Sequence, residues 1–397
     1  MKILIFSIYF LANILSCHSI QRPIFKLAKA NPMAATTQAI EMPTYIASLT
    51  KKFSAKRNYA SGLPEREDAA RYLYSREEDY KVLFCMKEPY HKDLPLRTCW
   101  KREIVQVFQK AELSPFDLKG VKRLGGLANQ NFKLIFSDRS DYLLKIPYDV
   151  QLDLEISRMN EAKNIRVLQD MKVMPDVLYM DPDTGMQIRK FLDGSPIEDF
   201  STEDIKGAAY AVRNLHSSKY RFVNDVCMFK RVLSYQNFLE QNHSLNVQLK
   251  EFILFASAIH ARVEQLSTLR RVPCHNDLEF ANMLRVGKQI KILDWEFCGN
   301  GSGEYDLAHF IYYDRLSKEQ ELYFLNCYFN GTPPENILKS LPWYKYLAQL
   351  VVTVRMQYLL LRDPSESSRK VVEPLYFSGM EGCAKLKSEL SSTLLKV

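Results

Sequence analysis

None of the eight cysteines of this 397-residue chain, at 17, 85, 99, 227, 274, 298, 327 and 383, forms a C-x-x-C pair or any other metal-ligand spacing. This absence excludes a zinc ribbon and a disulfide framework and points to reduced thiols. No basic run is interleaved with aromatics: the formal charge of +8 is spread along the chain. A nucleic-acid groove is thereby excluded, and only weak attraction to anionic or phosphorylated partners remains. Internal repeats and low-complexity tracts are missing too, which removes solenoid architectures. Tryptophan is scarce, with three in the chain, so any aromatic enclosure has few rings of the strongest kind to draw on.

What is present is most concentrated at Pro273-Cys274-His275-Asn276-Asp277-Leu278-Glu279-Phe280-Ala281-Asn282, followed by Ile292-Leu293-Asp294-Trp295-Glu296. An aspartate two residues after a histidine, an asparagine five further on, and a second aspartate beyond an apolar strand follow the order used for phosphoryl transfer. Charge on a transferred phosphoryl group needs neutralising by a divalent metal, and Asn282 and Asp294 supply oxygen ligands from separate segments. Asp277 is then free to orient an acceptor hydroxyl and accept its proton. Val286-Gly287-Lys288 lies between two short apolar runs, so a tight hairpin is expected to bring Asn282 and Asp294 to one mouth.

Upstream, Leu124-Gly125-Gly126-Leu127-Ala128-Asn129 lies between two strand-like runs, as a phosphate-covering loop should. Lys145 alternates with apolar neighbours in Tyr142-Leu143-Leu144-Lys145-Ile146-Pro147 and suits a phosphate-binding cation; the alternative is an ordinary edge-strand lysine. Residues 152–171 carry apolar side chains at helical spacing, which makes Glu161 either the partner of Lys145 or a solvated helix-face acid.

These residues together resemble the choline/ethanolamine kinases, within the wider aminoglycoside phosphotransferase and protein-kinase-like superfamily, and in particular the bacterial choline kinases. The similarity spans about 118 to 360. It is carried by Gly125-Gly126-x-x-Asn129, Lys145, Arg158-Met159-Asn160-Glu161, Phe191-Leu192-Asp193-Gly194, Leu215-His216-Ser217, His275-Asn276-Asp277 to Asn282, Asp294-Trp295-Glu296 and Tyr305-Asp306-Leu307-Ala308. The resemblance implies an α+β, bilobal kinase-like fold, with a small antiparallel-sheet lobe bearing one main helix and a larger helical lobe. It also implies ATP with Mg²⁺, and transfer of the γ-phosphate to a small amino alcohol, choline or ethanolamine. Other acceptors in the superfamily are aminoglycosides and thiamine; the non-enzymatic alternative is a nucleotide-binding pseudokinase or interaction protein. Two departures stand out. Ala128 replaces the family's usual threonine, and residues 347–361 read Leu-Ala-Gln-Leu-Val-Val-Thr-Val-Arg-Met-Gln-Tyr-Leu-Leu-Leu where choline kinases supply aromatics. Trp343, Tyr344, Tyr346 and Tyr358 are the remaining cage candidates, Trp343 foremost; the alternative is that all four are core. Glu296 and Asp306 are candidate partners for a substrate ammonium, Asp306 alternatively a scaffold for the catalytic loop. His216 and His309 are expected as core or helix-end histidines.

Along the chain, the expected divisions are 1–17 signal-like, 18–64 linker, 65–117 a helical extension with no counterpart in the family, 118–194 the nucleotide-binding lobe, and 195–397 the helical lobe. Met1 to Leu15 is apolar apart from Lys2, Ser7 and Asn13 and ends at Ser16-Cys17, the pattern of a secretory or lipoprotein signal. ATP chemistry favours the cytoplasm, with translation from Met33 as one reconciliation and export or membrane anchoring through residues 1–17 as the other. The sequence carries no signal for oligomeric state.

Overall fold

The computed structural model describes residues 102–114, 117–124, 129–138, 140–147, 156–197, 200–269 and 271–394. The signal-like segment, the linker, the extension before residue 102, and Gly125 and Gly126 lie outside them. The chain divides into two compact units, residues 1–148 and 149–397. The main helix and the strand pair expected with the nucleotide-binding lobe therefore fall in the second unit.

In the first unit, helix α1 (Arg102–Lys110) precedes an antiparallel meander of β1 (Leu118–Leu124), β2 (Asn129–Phe136) and β3 (Asp141–Pro147). Strand alternation decides which face is covered. Phe132, Leu134 and Phe136 on one face of β2 are buried, and Phe108 of α1 stacks on Phe136 with ring centroids 6.5 Å apart. Lys145 pairs with Asn131 across β2 and β3, so both side chains share a face, and Lys145 is 4% exposed.

The second unit opens with α2 (Arg158–Met171). Ser157 caps it by accepting from the Asn160 amide at 3.3 Å, and Lys172 ends it at φ 56°. β4 (Val177–Met180) and β5 (Gln187–Lys190) form a hairpin, and β6 (Ser195–Pro196) pairs with a later strand, β8. Helices α3 (Thr202–His216), α4 (Met228–Gln241) and α5 (Val247–Leu266) follow. The chain then forms β7 (Val272–Cys274), β8 (Met283–Val286), β9 (Gln289–Ile292) and β10 (Gly299–Gly301), with β8 paired to β9 and β7 to β10. Helices α6 (Gly303–Tyr313), α7 (Lys318–Phe329), α8 (Glu335–Arg362) and α9 (Glu366–Leu394) complete it. Helix α8 runs through the core over its middle turns, where Trp343, Tyr344, Tyr346 and Tyr358 are each no more than 2% exposed. Each such side chain contributes about 1.5–3 kcal/mol by leaving water. No helix among the described residues is long and apolar enough to cross a membrane.

Candidate active site

The segment 275–282 forms only a single 3-10 turn, Phe280–Asn282, and is held by side chains from behind. Asp306, on α6, is 0% exposed; its Oδ2 accepts from the His275 amide and its Oδ1 from the Asn276 amide, both at 2.7 Å. The Nε2–H of His216 donates to the same carboxylate at 3.1 Å, and its Nδ1 accepts from the Tyr328 hydroxyl at 2.8 Å. Burial alone would raise the Asp306 pKa, but the His216 hydrogen bond, the neighbouring His216 and His275 imidazoles and the His275 backbone N–H hold it below the usual carboxylate range. His275 donates from Nε2 to the Leu293 carbonyl at 2.8 Å, and the Asn276 side-chain Nδ2 donates to the Phe297 carbonyl at 3.0 Å. Asn276 and Asp294 both sit in the left-handed region, at φ 65° and 61°. Asn and Asp tolerate that conformation better than most residues, and such backbone concentrates where a site over-determines it.

The β8–β9 hairpin forms as its sequence requires, with Val286 paired to Gln289 across Gly287 at φ 59°. It returns Leu293, whose amide donates to the Asn282 carbonyl at 2.8 Å, so the metal-ligand candidates Asn282 and Asp294 come to one end of the hairpin. Asn282 Nδ2 donates to the Asp277 carbonyl at 2.9 Å, and Asp277 Oδ2 lies 3.4 Å from the same nitrogen. Spending the nitrogen on the loop turns the Asn282 amide oxygen toward other partners. That oxygen and the Asp294 carboxylate are hard donors of the kind Mg²⁺ takes. The Asp277 side chain is 34% exposed and open for contact.

Two carboxylates that sequence reasoning passed over, Asp314 and Glu279, lie at the loop that carries Asp277. Asp314, just past α6, accepts from the Phe280 amide with both oxygens at 3.1 Å. Burial pushes it up to about 8, with the Phe280 N–H as the counterweight. Glu279 is driven well above the usual range by burial and by the charges of Asp277, Asp314 and Asp294. Glu279 was legible two residues after Asp277, whereas Asp314 carries no local motif. Arg189, on β5, is pulled down by burial and held up by Asp294 and Glu161.

The remaining expected site residues divide clearly. Glu161 and Glu296 are 3% and 7% exposed and both bond to Arg158, at 2.8 and 3.3 Å. They face a hollow of about 50 Å³ shared with Arg231 and Phe297. Asn129 is 4% exposed with its Oδ1 unpartnered. Two expected substrate contacts are corrected. Asp306 has no exposed surface, and both of its oxygens hold the catalytic loop, so it meets no acceptor. Trp343 is 1% exposed and packs its ring 6.2 Å from His260 and 5.8 Å from Tyr346, so it is core. His216, Cys274 and Asp306 place ligand-type atoms within 4.8 Å of one another, but burial keeps the Cys274 thiol protonated and His216 has both nitrogens bonded. That cluster is scaffold.

The family model for choline/ethanolamine kinase matches residues 121–347. Protein LicA of Haemophilus influenzae is 30% identical over 244 residues, covering 60% of this chain and 69% of the relative. A LicA homolog of Metamycoplasma hominis is 27% identical over 214 residues, covering 53% and 80%. Among solved structures, choline kinase LicA from Streptococcus pneumoniae superposes with a TM-score of 0.61 at 19% identity, covering 72% of this chain and all of that one. A choline/ethanolamine kinase family protein from Mesorhizobium loti gives 0.57 at 22%, covering 72% and 98%. Both share the kinase-like α+β fold. The matched span contains Lys145, Asp277, Asn282 and Asp294, and the chain belongs to the choline/ethanolamine kinase family, which are ATP-dependent phosphotransferases.

Proposed function

We propose that the protein transfers the γ-phosphate of ATP to the hydroxyl of a small amino alcohol, choline or ethanolamine. The observation that carries this reading is Asp277, open to solvent on a loop whose backbone Asp306 fixes, beside a hairpin that delivers Asn282 and Asp294. Asp277 orients the acceptor hydroxyl and takes its proton as the oxygen attacks phosphorus. Asn282 and Asp294 would hold Mg²⁺, which supplies charge neutralisation at the phosphates when bound. Asn129, Lys145 and Glu161, with Gly125 and Gly126, are assigned to the nucleotide.

The surroundings of Asp277 support a cationic acceptor, since burial favours the protonated form of Glu279 and Asp314 and an ammonium placed beside them would favour their ionised form instead. Recognition by charge rather than by a ring cage follows from the burial of Trp343, Tyr344, Tyr346 and Tyr358. Phe297, three residues after Asp294, already has the guanidinium carbons of Arg231 and Arg355 over its ring at 4.6 and 5.0 Å. A quaternary ammonium would meet positive charge there.

A coupled ATP-turnover screen against choline, ethanolamine, thiamine and aminoglycosides tests the reading. Turnover with an amino alcohol is expected, and Asp277→Asn should lower it about 10²–10⁴-fold, the range for losing a positioned general base. Turnover confined to an aminoglycoside or thiamine, or an unaffected Asp277→Asn, would overturn it.

A further inference from the structure

His309 lies on the second turn of α6, 2% exposed, with its ring stacked on Tyr313 at 4.4 Å between centroids. The sequence makes it an ordinary core histidine. Its hydrogen bonds say more. Nδ1 is 2.9 Å from the Leu278 carbonyl; a carbonyl only accepts, so Nδ1 carries the proton and Nε2 presents a lone pair. That lone pair faces Asp277 Oδ1 at 3.7 Å, too far for a direct hydrogen bond. Burial holds the imidazole below its usual pKa against the charges of Asp277 and Asp306 and the Leu278 carbonyl, with His275 adding to the lowering. These four groups, with the Tyr305 and Tyr313 rings, are what His309 faces. The resting site therefore holds two acceptors, an imidazole nitrogen and a carboxyl oxygen, aimed at each other across a gap that neither can bridge. Only a donor placed beside both satisfies them.

We propose that His309 shares with Asp277 the proton of the acceptor hydroxyl, an inference that rests on Asp277 being the base. The hydroxyl hydrogen sits between Asp277 Oδ1 and His309 Nε2. As the acceptor oxygen forms its bond to the γ-phosphorus, the bond from that phosphorus to the β-phosphate oxygen breaks and its electron pair leaves with ADP. The O–H bond breaks in the same event, and its proton passes to Asp277 and on to Nε2. The imidazolium so formed is compensated by the regenerated Asp277 carboxylate and releases its proton to solvent as the product departs. The balance is one ATP and one alcohol giving ADP, a phosphate ester and a proton. His309 is a catalytic residue in this account, because the Nδ1 bond aims the ring and Nε2 meets the reacting hydroxyl and receives its proton.

His309→Asn separates the two duties, because the asparagine amide nitrogen replaces Nδ1 as donor to Leu278 while nothing replaces Nε2. We expect His309→Asn to keep the melting temperature and the KM for ATP, to lose about 10–100-fold in kcat, a part of the range for acid–base help, and to drop one ionisation from the acid limb of its kcat–pH profile. Wild-type kcat and an unchanged profile in a folded His309→Asn protein would reduce His309 to a loop buttress and overturn the proposal. Should that variant fail to fold, the unaltered protein labelled with ¹⁵N-histidine decides. The Nε2 resonance of His309 should move when whichever of choline or ethanolamine is turned over is added with Mg·ADP, and an unmoved resonance overturns the proposal. Slow hydrolysis of ATP by water uses the same proton route. If His309→Asn lowers hydrolysis while neither amino alcohol is a substrate, the shared proton stands and the acceptor assignment falls; if hydrolysis is unaffected, the shared proton falls whatever the acceptor.

Discussion

At the scale of single residues, the acid groups around the catalytic loop have been pushed in opposite directions, and stability against pH should report it. Asp306 has a folded pKa below its unfolded one, so its contribution is complete above the unfolded value and is lost as pH falls through the lower folded value. Asp314 is the reverse case. Its folded pKa of about 8 lies well above the ordinary carboxylate value of about 4, so the folded chain holds a proton that the unfolded chain has released. Stability tied to Asp314 is therefore full below about pH 4 and declines as pH rises toward about 8. Asp314→Asn keeps an oxygen for the Phe280 amide and cannot ionise. Its melting temperature should fall less between about pH 5 and 8 than that of the wild type, as read by calorimetry in matched buffers. Parallel curves for the two proteins would show that Asp314 is ionised in the fold. This carboxylate was invisible in the sequence because its role depends on α6 ending against Phe280, a contact 34 residues away in the chain.

At the scale of elements, the catalytic hairpin was readable because everything that makes it is local. Two apolar runs flank Gly287, the spacing from Asp277 to Asn282 is fixed by one short loop, and β8 and β9 pair in the register those runs require. Gly287 has φ 59°, and an added Cβ there would meet nothing within 4 Å. The cost of Gly287→Ala is therefore backbone strain alone, about 1–2 kcal/mol for a left-handed residue with a Cβ. Gly287→Asn should cost less, since Asn tolerates that region. Denaturant melts of the two variants check the order, and equal stabilities would mean the turn relaxes to another form. Helix α8 is ambiguous in sequence for the complementary reason. Its tyrosines and Trp343 read equally as cage or core, where only periodicity speaks, but packing against α4, α5, α6 and α9 buries all four. Whether an aromatic lines a pocket or fills a core depends on tertiary neighbours that spacing does not encode.

At the scale of the whole molecule, fold class and chemistry were carried by a handful of positions spread over half the chain, because metal and phosphate geometry tolerate little variation. The acceptor is less constrained, since one fold hosts many acceptors, and the acidic lining rather than the motif bears on it. A nucleotide that binds only the folded chain should raise the stability of the whole, by about 2.7 kcal/mol at a hundredfold excess over Kd. Asp294 is where that linkage can be cut. Its φ of 61° makes alanine a poor substitution, since lost charge and backbone strain would be confounded. Asp294→Asn preserves shape and conformational tolerance while removing the anionic oxygen that a divalent cation prefers. The variant should melt near the wild type without ligand, and the several-degree rise that Mg·ATP gives the wild type should be largely absent. Scanning calorimetry with ATP alone, Mg²⁺ alone and both together separates the contributions. An undiminished Mg·ATP shift in Asp294→Asn would move the metal to other oxygens, Glu279 first among them, because it is a carboxyl that feels the charges of both Asp277 and Asp294.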